Sequence, residues 1–134
     1  MPAQDHYHRT VIRAFAKDGW TVLKEQFPIL LPERRLWVDL HMATDQNRRV
    51  LVEVKGFENM ASPIEYLAAT TGKYLLYRTA LDRLQVEMQL YLAVPTHAYS
   101  GILSETLGRL VIQHLNMPIV VFDPEQEVIT LWKP

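Results

Sequence analysis

The sequence contains no cysteine among its 134 residues. That absence excludes disulfides and thiolate metal sites, and it fits a reducing compartment, so a cytoplasmic location is expected. The chain has no apolar run long enough to span a bilayer, and no membrane association is expected. The opening Met1-Pro-Ala-Gln-Asp5 lacks the basic and apolar segments of a signal peptide. Charge of one sign is also missing: 14 basic residues face 15 acidic ones, for a net charge of −1. A nucleic-acid contact would therefore need a local basic patch, not a globally basic surface. No repeat, low-complexity tract or interdomain linker interrupts residues 1–134, which read as one domain. Hydrophobic residues make up 49% of the chain, enough to argue against disorder and for a full core.

The patterning alternates between helical and strand periods. Residues from Gln4 to Asp18 suit a helix with Tyr7, Val11, Ala14 and Phe15 on one face, ended by Gly19. Trp20–Leu23 begins a strand, and Pro28 and Pro32 are expected to break the next stretch into a loop or hairpin connection. Strands at Arg35–Met42 and Arg49–Lys55 flank the polar turn Thr44–Arg48, which favours a hairpin. Ser62-Pro-Ile-Glu65 is a capping box with proline at the first helical position. Ile64, Leu67, Ala68, Thr71, Leu75 and Arg78 then recur at helical spacing to about Leu81. Leu90–Val94 closed by Pro95, a helix at Glu105–Leu115, and strands at Ile119–Phe122 and Val128–Trp132 complete the order. One helix, three strands and then an αβαββ series predict an α/β (α+β) fold with a central mixed sheet flanked by helices.

One pair of strands carries chemistry. In Val50–Gly56, the period of two puts Glu53 and Lys55 on one face and Val50, Val52 and Val54 on the other. In Leu36–Met42 the same parity puts Leu36, Val38, Leu40 and Met42 on one face, and Trp37, Asp39 and His41 on the other. Adjacent antiparallel strands would bring Asp39 beside Glu53 and Lys55. Two hard oxygen ligands and a lysine suit a divalent metal that activates water against a phosphodiester. The same alternation also fits a solvated strand face with Glu53 and Lys55 exposed.

Longer segments add a resemblance. Asp5 with His8, Lys17–Trp20, Val38–Leu40, Val52–Lys55, Gly72 with Tyr74–Arg78, Tyr91–Pro95, Val121–Glu127 and the closing Trp132–Pro134 together resemble the XisH-like family, the fdxN-element excision controlling factors of cyanobacteria. The resemblance implies a restriction-endonuclease-like core of the PD-(D/E)XK type. It assigns the signature acid to Asp39 and the acid-x-lysine to Glu53 and Lys55, with Asp39 and Glu53 as ligands of Mg²⁺ or Mn²⁺. It further implies a part in programmed DNA excision beside a site-specific recombinase and a small XisI-like companion. Asp39 follows Val38 where the named motif has proline, a change that leaves the chemistry intact. Lys73 stands where the family pattern has glutamine, and suits either a phosphate contact or a solvated helix surface.

The remaining candidates divide by role. The Val54 carbonyl is a plausible further ligand, and Lys55 would orient water or stabilise the developing oxyanion, or bridge Glu53 or Asp39 without metal. An acid from the first helix would come from Asp5 or Asp18, with His8 between them. His41 shares the Asp39 face and is either a ligand or a partly buried histidine. Arg34-Arg35 and Arg48-Arg49 lie at strand ends, where they would grip phosphates or simply solvate the surface. Tyr74, Tyr77 and Arg78 fit base stacking or helix packing, and Trp20, Trp37 and Trp132 fit core or interface anchors. A net charge near zero favours association, as a homodimer or with the companion. Three functions are compatible with these residues: a metal-dependent nuclease, a catalytically weak accessory factor that binds DNA or protein, or a scaffold for the companion.

Overall fold

The computed structural model describes residues 6–134; the expected contributions of Gln4 and Asp5 lie outside the described residues. Six strands form one mixed sheet in the order β1 (Trp20–Leu30), β2 (Arg35–Thr44), β3 (Arg49–Val54), β4 (Leu90–Pro95), β5 (Ile119–Asp123) and β6 (Val128–Lys133). β1–β2–β3 pair antiparallel, β3–β4–β5 parallel, and β5–β6 antiparallel. The helices α1 (His8–Lys17), α2 (Pro63–Arg83), α3 (Thr96–Ser100) and α4 (Thr106–Leu115) cover both faces, which makes this a mixed α/β fold.

Each face has its own core. Val11, Ala14 and Phe15 of α1 pack with Leu40, Met42, Val50, Val52, Val54, Tyr91, Ala93, Val120 and Phe122. The expected apolar face of the first helix is therefore the one buried. On the opposite face, Leu67, Tyr74, Tyr77 and Leu81 of α2 and Ile112 of α4 pack with Leu51, Leu92, Val94, Ile119 and Val121. Central strands buried on both sides read as continuous apolar runs, as β4 and β5 do.

Helix ends follow local chemistry. Gly19 closes α1 at φ +86°, a conformation that costs a side-chain-bearing residue energy. Ser62 caps α2 by accepting a hydrogen bond from the Glu65 amide at 3.4 Å. The buried face of α2 corrects the expectation, however. Thr70, Tyr74 and Tyr77 join Leu67 in the core, while Ile64 and Ala68 are exposed and Thr71, Leu75 and Arg78 are only half-buried. The tyrosines outcompete the aliphatic stripe because each buries more apolar area, and the Tyr74 hydroxyl donates to the Leu90 carbonyl at 2.8 Å.

β1 is the second correction. It runs through Pro28 to Leu30. As an edge strand it needs ladder donors on one side only, so proline is tolerated. Gln26 adopts φ +56°, and at its level both strands of the β1–β2 hairpin change face. Phe27, Leu36 and Val38 pack with the α2-side core, whereas Leu40 and Met42 pack with the α1-side core. Leu36, Val38, Leu40 and Met42 therefore do not share one face, because period-two parity does not survive the irregularity.

Candidate metal centre

Asp39 and Glu53 meet where the β2–β3 ladder ends. Backbone pairing runs from Ala43↔Arg49 to Leu40↔Val52, a register that sets Asp39 opposite Glu53. Here side chains replace the backbone partners. The Asp39 amide donates to Glu53 Oε1 at 3.2 Å, and the Val54 amide donates to Asp39 Oδ2 at 2.8 Å. Each strand thus fixes the carboxylate of the other. Both groups are buried, at 6% and 2% exposure, which removes the solvated-face alternative for Glu53.

Burial of two like charges dominates their acidity. The Glu53 carboxyl is pushed up to about 7, by loss of water and then by the charge of Asp39, against the pull of Lys73 and Lys55. Asp39 is also raised by burial, opposed by the Val54 amide, Lys73 and Lys55. The resident counter-charge is Lys73 on α2, whose Nζ stands 2.7 Å from Glu53 Oε2. Burial is the largest single influence and would lower the Lys73 pKa, but the charge and hydrogen bond of Glu53, helped by Tyr77 and Asp39, together turn the net direction upward. At that distance the Lys73 ammonium is the ion-pair partner of Glu53 Oε2.

Lys55 lies near enough to both carboxylates to lower their pKa values, but among the described residues no ion pair joins it to either. It is half-buried, and its amide donates to the Ala93 carbonyl at 3.0 Å, continuing the parallel ladder past Val54. The segment after β3 then turns sharply, with Phe57 and Asn59 at φ +53° and +54°. Glu58 of this segment accepts a hydrogen bond from Tyr7, which ties it to the start of α1.

Other candidates sit further away. Arg48 precedes β3 and Arg49 begins it, at the end opposite Glu53. Arg48 lies over Trp20 and Trp132 at 5.6 and 6.0 Å from the ring centroids, and Arg49 Nε donates to Asn47 Oδ1 at 3.0 Å. Arg34 and Arg35 line a shallow cavity at the β1–β2 turn. His8 is buried and pairs with Glu25 at 2.9 Å, and Asp18 accepts from the Trp132 indole at 3.0 Å. His41 is buried against Phe27, and burial followed by the Arg49 charge lowers its pKa. Arg78 donates to the Leu115 carbonyl at 2.7 Å, at the end of α4, and so has a packing role.

Sequence reasoning missed the Lys73–Glu53 pair and placed Tyr77 on α2 without linking it to the site. A signal was present: Lys73 and Tyr77 are four apart on α2 and share a face, and Lys73 Nζ lies 5.3 Å from the Tyr77 ring centroid.

The site fits a hard divalent ion. A buried carboxylate pair that already draws a cation to its remaining oxygen has the chemistry that such an ion satisfies. Among the described residues no third His, Cys, Asp or Glu joins the group, so water and a backbone carbonyl such as that of Val54 would complete the coordination, as is common for Mg²⁺.

The XisH protein family model matches residues 1–130. The fold is similar to that of an XisH family protein from Nostoc punctiforme, with 31% identity, a TM-score of 0.89, and coverage of 97% of this chain and 100% of that one. It is equally similar to a fdxN element excision controlling factor protein from Anabaena variabilis, with 30% identity, a TM-score of 0.90, and coverage of 98% and 100%. Among curated proteins, none matches.

Proposed function

The chain belongs to the XisH family, and from that premise we propose that it serves fdxN-type DNA excision through a divalent-metal phosphodiesterase site of the PD-(D/E)XK type, on a restriction-endonuclease-like core. The observation that carries this reading is the reciprocal locking of Asp39 and Glu53 on adjacent strands. Burying two carboxylates side by side is costly unless a cation is part of the design.

Asp39 and Glu53 would hold Mg²⁺ or Mn²⁺, which when bound acidifies water and screens charge on the phosphate. Their backbone hydrogen bonds orient both carboxylates before any ligand arrives, which lowers the ordering cost of binding. Lys55, one strand position beyond Val54, orients the attacking water or stabilises the phosphate oxyanion. Lys73, at the rim with its side chain 34% exposed, would meet a phosphate on leaving Glu53. Arg34, Arg35, Arg48 and Arg49 would contribute only to peripheral backbone contacts, since none flanks the carboxylates. DNA, a site-specific recombinase and a small XisI-like protein are the proposed partners, and a homodimer is the proposed assembly.

The decisive experiment is a thermal-shift titration with Mg²⁺ and Mn²⁺, paired with cleavage of supercoiled and branched DNA. The native chain should gain thermal stability with metal. Glu53→Ala should lose that gain while remaining folded, and Lys55→Ala should keep the gain and lose cleavage. Identical metal responses from the native chain and Glu53→Ala would refute the metal site. A second reading, the catalytically weak accessory factor, is favoured by the Lys73 ion pair, which supplies positive charge without metal. It predicts partner or DNA binding that survives Glu53→Ala.

A further inference from the structure

Regulation of the metal site, on the reading proposed above, is open to the same geometry. We infer that Lys73 is a tethered counter-cation of the Asp39–Glu53 pair, which a divalent ion must displace in order to bind, so that metal loading releases the Lys73 ammonium toward the rim.

Three observations carry it. The Lys73 ammonium lies 2.7 Å from Glu53 Oε2, the oxygen left over after Oε1 accepts the Asp39 amide. Among the described residues the ammonium is the one side-chain cation within ion-pair distance of either carboxylate, so it occupies the place a metal ion would take on that oxygen. Lys73 also reaches the pair from outside the sheet. It projects from α2, is 34% exposed against 3% for Glu53, and runs beside the Tyr77 ring. A long, flexible side chain entering from the rim can leave without disturbing the core.

Charge makes the two occupants mutually exclusive. A divalent ion on Glu53 Oε2 would stand within a few ångströms of the ammonium, and like charges at that range repel strongly even at a moderate effective dielectric. Lys55 is differently placed, because among the described residues it forms no ion pair with either carboxylate. Lys73 is therefore the group that competes. Once expelled, its ammonium is on the solvent side of the site, where the oxygens of a bound phosphate could accept from it. Metal and polyanion would then reinforce each other, because the metal frees the lysine and the anion keeps it from returning.

The test is calorimetric titration of MgCl₂ and MnCl₂ into the native chain, Lys73→Gln, Lys73→Met and Glu53→Gln, at one pH and ionic strength. Circular dichroism first establishes that each variant is folded. Two neutral replacements guard against one of them failing to fold. Both Lys73 variants should bind metal about tenfold or more tightly than the native chain, since the competing charge is gone, while Glu53→Gln should bind more weakly. In parallel, amine-reactive labelling of the native chain, read by peptide mass spectrometry, should show Lys73 becoming more reactive as Mg²⁺ is added. If the native chain binds metal at least as tightly as both Lys73 variants, or if Lys73 reactivity is unchanged at saturating Mg²⁺, the displacement mechanism is wrong and the metal site stands. If neither the native chain nor the Lys73 variants bind metal, both readings fall.

Discussion

Replacing Glu53 by glutamine tests the electrostatics of the site most directly. The Glu53 carboxyl is raised from 4.5 to about 7, first by burial and then by Asp39, with Lys73 and Lys55 opposing. Because the folded value lies above the unfolded one, the folded chain holds a proton that the unfolded chain has released between those limits. Stability from this group is therefore greatest below about 4.5, falls as the pH rises toward about 7, and stays at the lower level above it. The full difference is on the order of 3 kcal/mol. Glutamine keeps the shape and carries no charge at any pH, so it removes this slope. It also removes the partner of Lys73, but that side chain is 34% exposed and can turn to water. At pH 8 without metal, Glu53→Gln should be more stable than the native chain by about 1–3 kcal/mol. Near pH 5 the two should nearly coincide. With saturating Mn²⁺ at pH 8 the order should close or reverse, since the neutral amide is a poor ligand for a hard cation. Urea unfolding at pH 5, 6, 7 and 8 in EDTA, and at pH 8 with saturating Mn²⁺, measures all three comparisons. A native-minus-variant difference that stays constant from pH 5 to 8 would show that Glu53 does not titrate there.

Three further outcomes concern the scaffold. Tyr74→Phe should cost about 1–2 kcal/mol in chemical denaturation, because it strands the buried Leu90 carbonyl that the hydroxyl now satisfies at 2.8 Å. Gly108→Ala should lower the melting temperature and cost roughly 1–3 kcal/mol, since a Cβ there would sit 2.5 Å from the Ile102 carbonyl oxygen, a backbone atom that cannot rotate away. Glu25 is held below 4.5, chiefly by its hydrogen bond with His8 and also by Arg9. Its contribution is present above 4.5 and lost as the pH falls through the depressed value, so Glu25→Gln should flatten the acid limb of the stability profile and leave the alkaline limb unchanged.

Much of the architecture was legible in the order of residues alone. Strand and helix periods located all six strands, α1, α2 and α4, and local chemistry placed the Ser62 cap and the Gly19 stop, because these depend on residues close in sequence. The short helix α3 was missed: five residues carry too little periodicity to announce themselves. The neighbourhood of Asp39 and Glu53 was readable because a hairpin joins two adjacent strands through a short turn, so register follows from loop length.

Contacts that cross between distant elements were decided by the tertiary structure alone. Parity could not foresee that the β1–β2 hairpin would change face at the level of Gln26, since glutamine is not a residue type that announces a positive φ. Nor could helical periodicity choose Tyr74 and Tyr77 over Ile64 for the core, because that choice depends on what the sheet presents to α2. The counter-cation of the site was the largest surprise. Lys55 had the sequence spacing, but among the described residues the ion pair to Glu53 comes from Lys73, twenty residues later and on α2. Local sequence set the two carboxylates side by side through the short hairpin that joins their strands. The identity of the charge that answers them was set by helix-on-sheet packing, which no local pattern encodes.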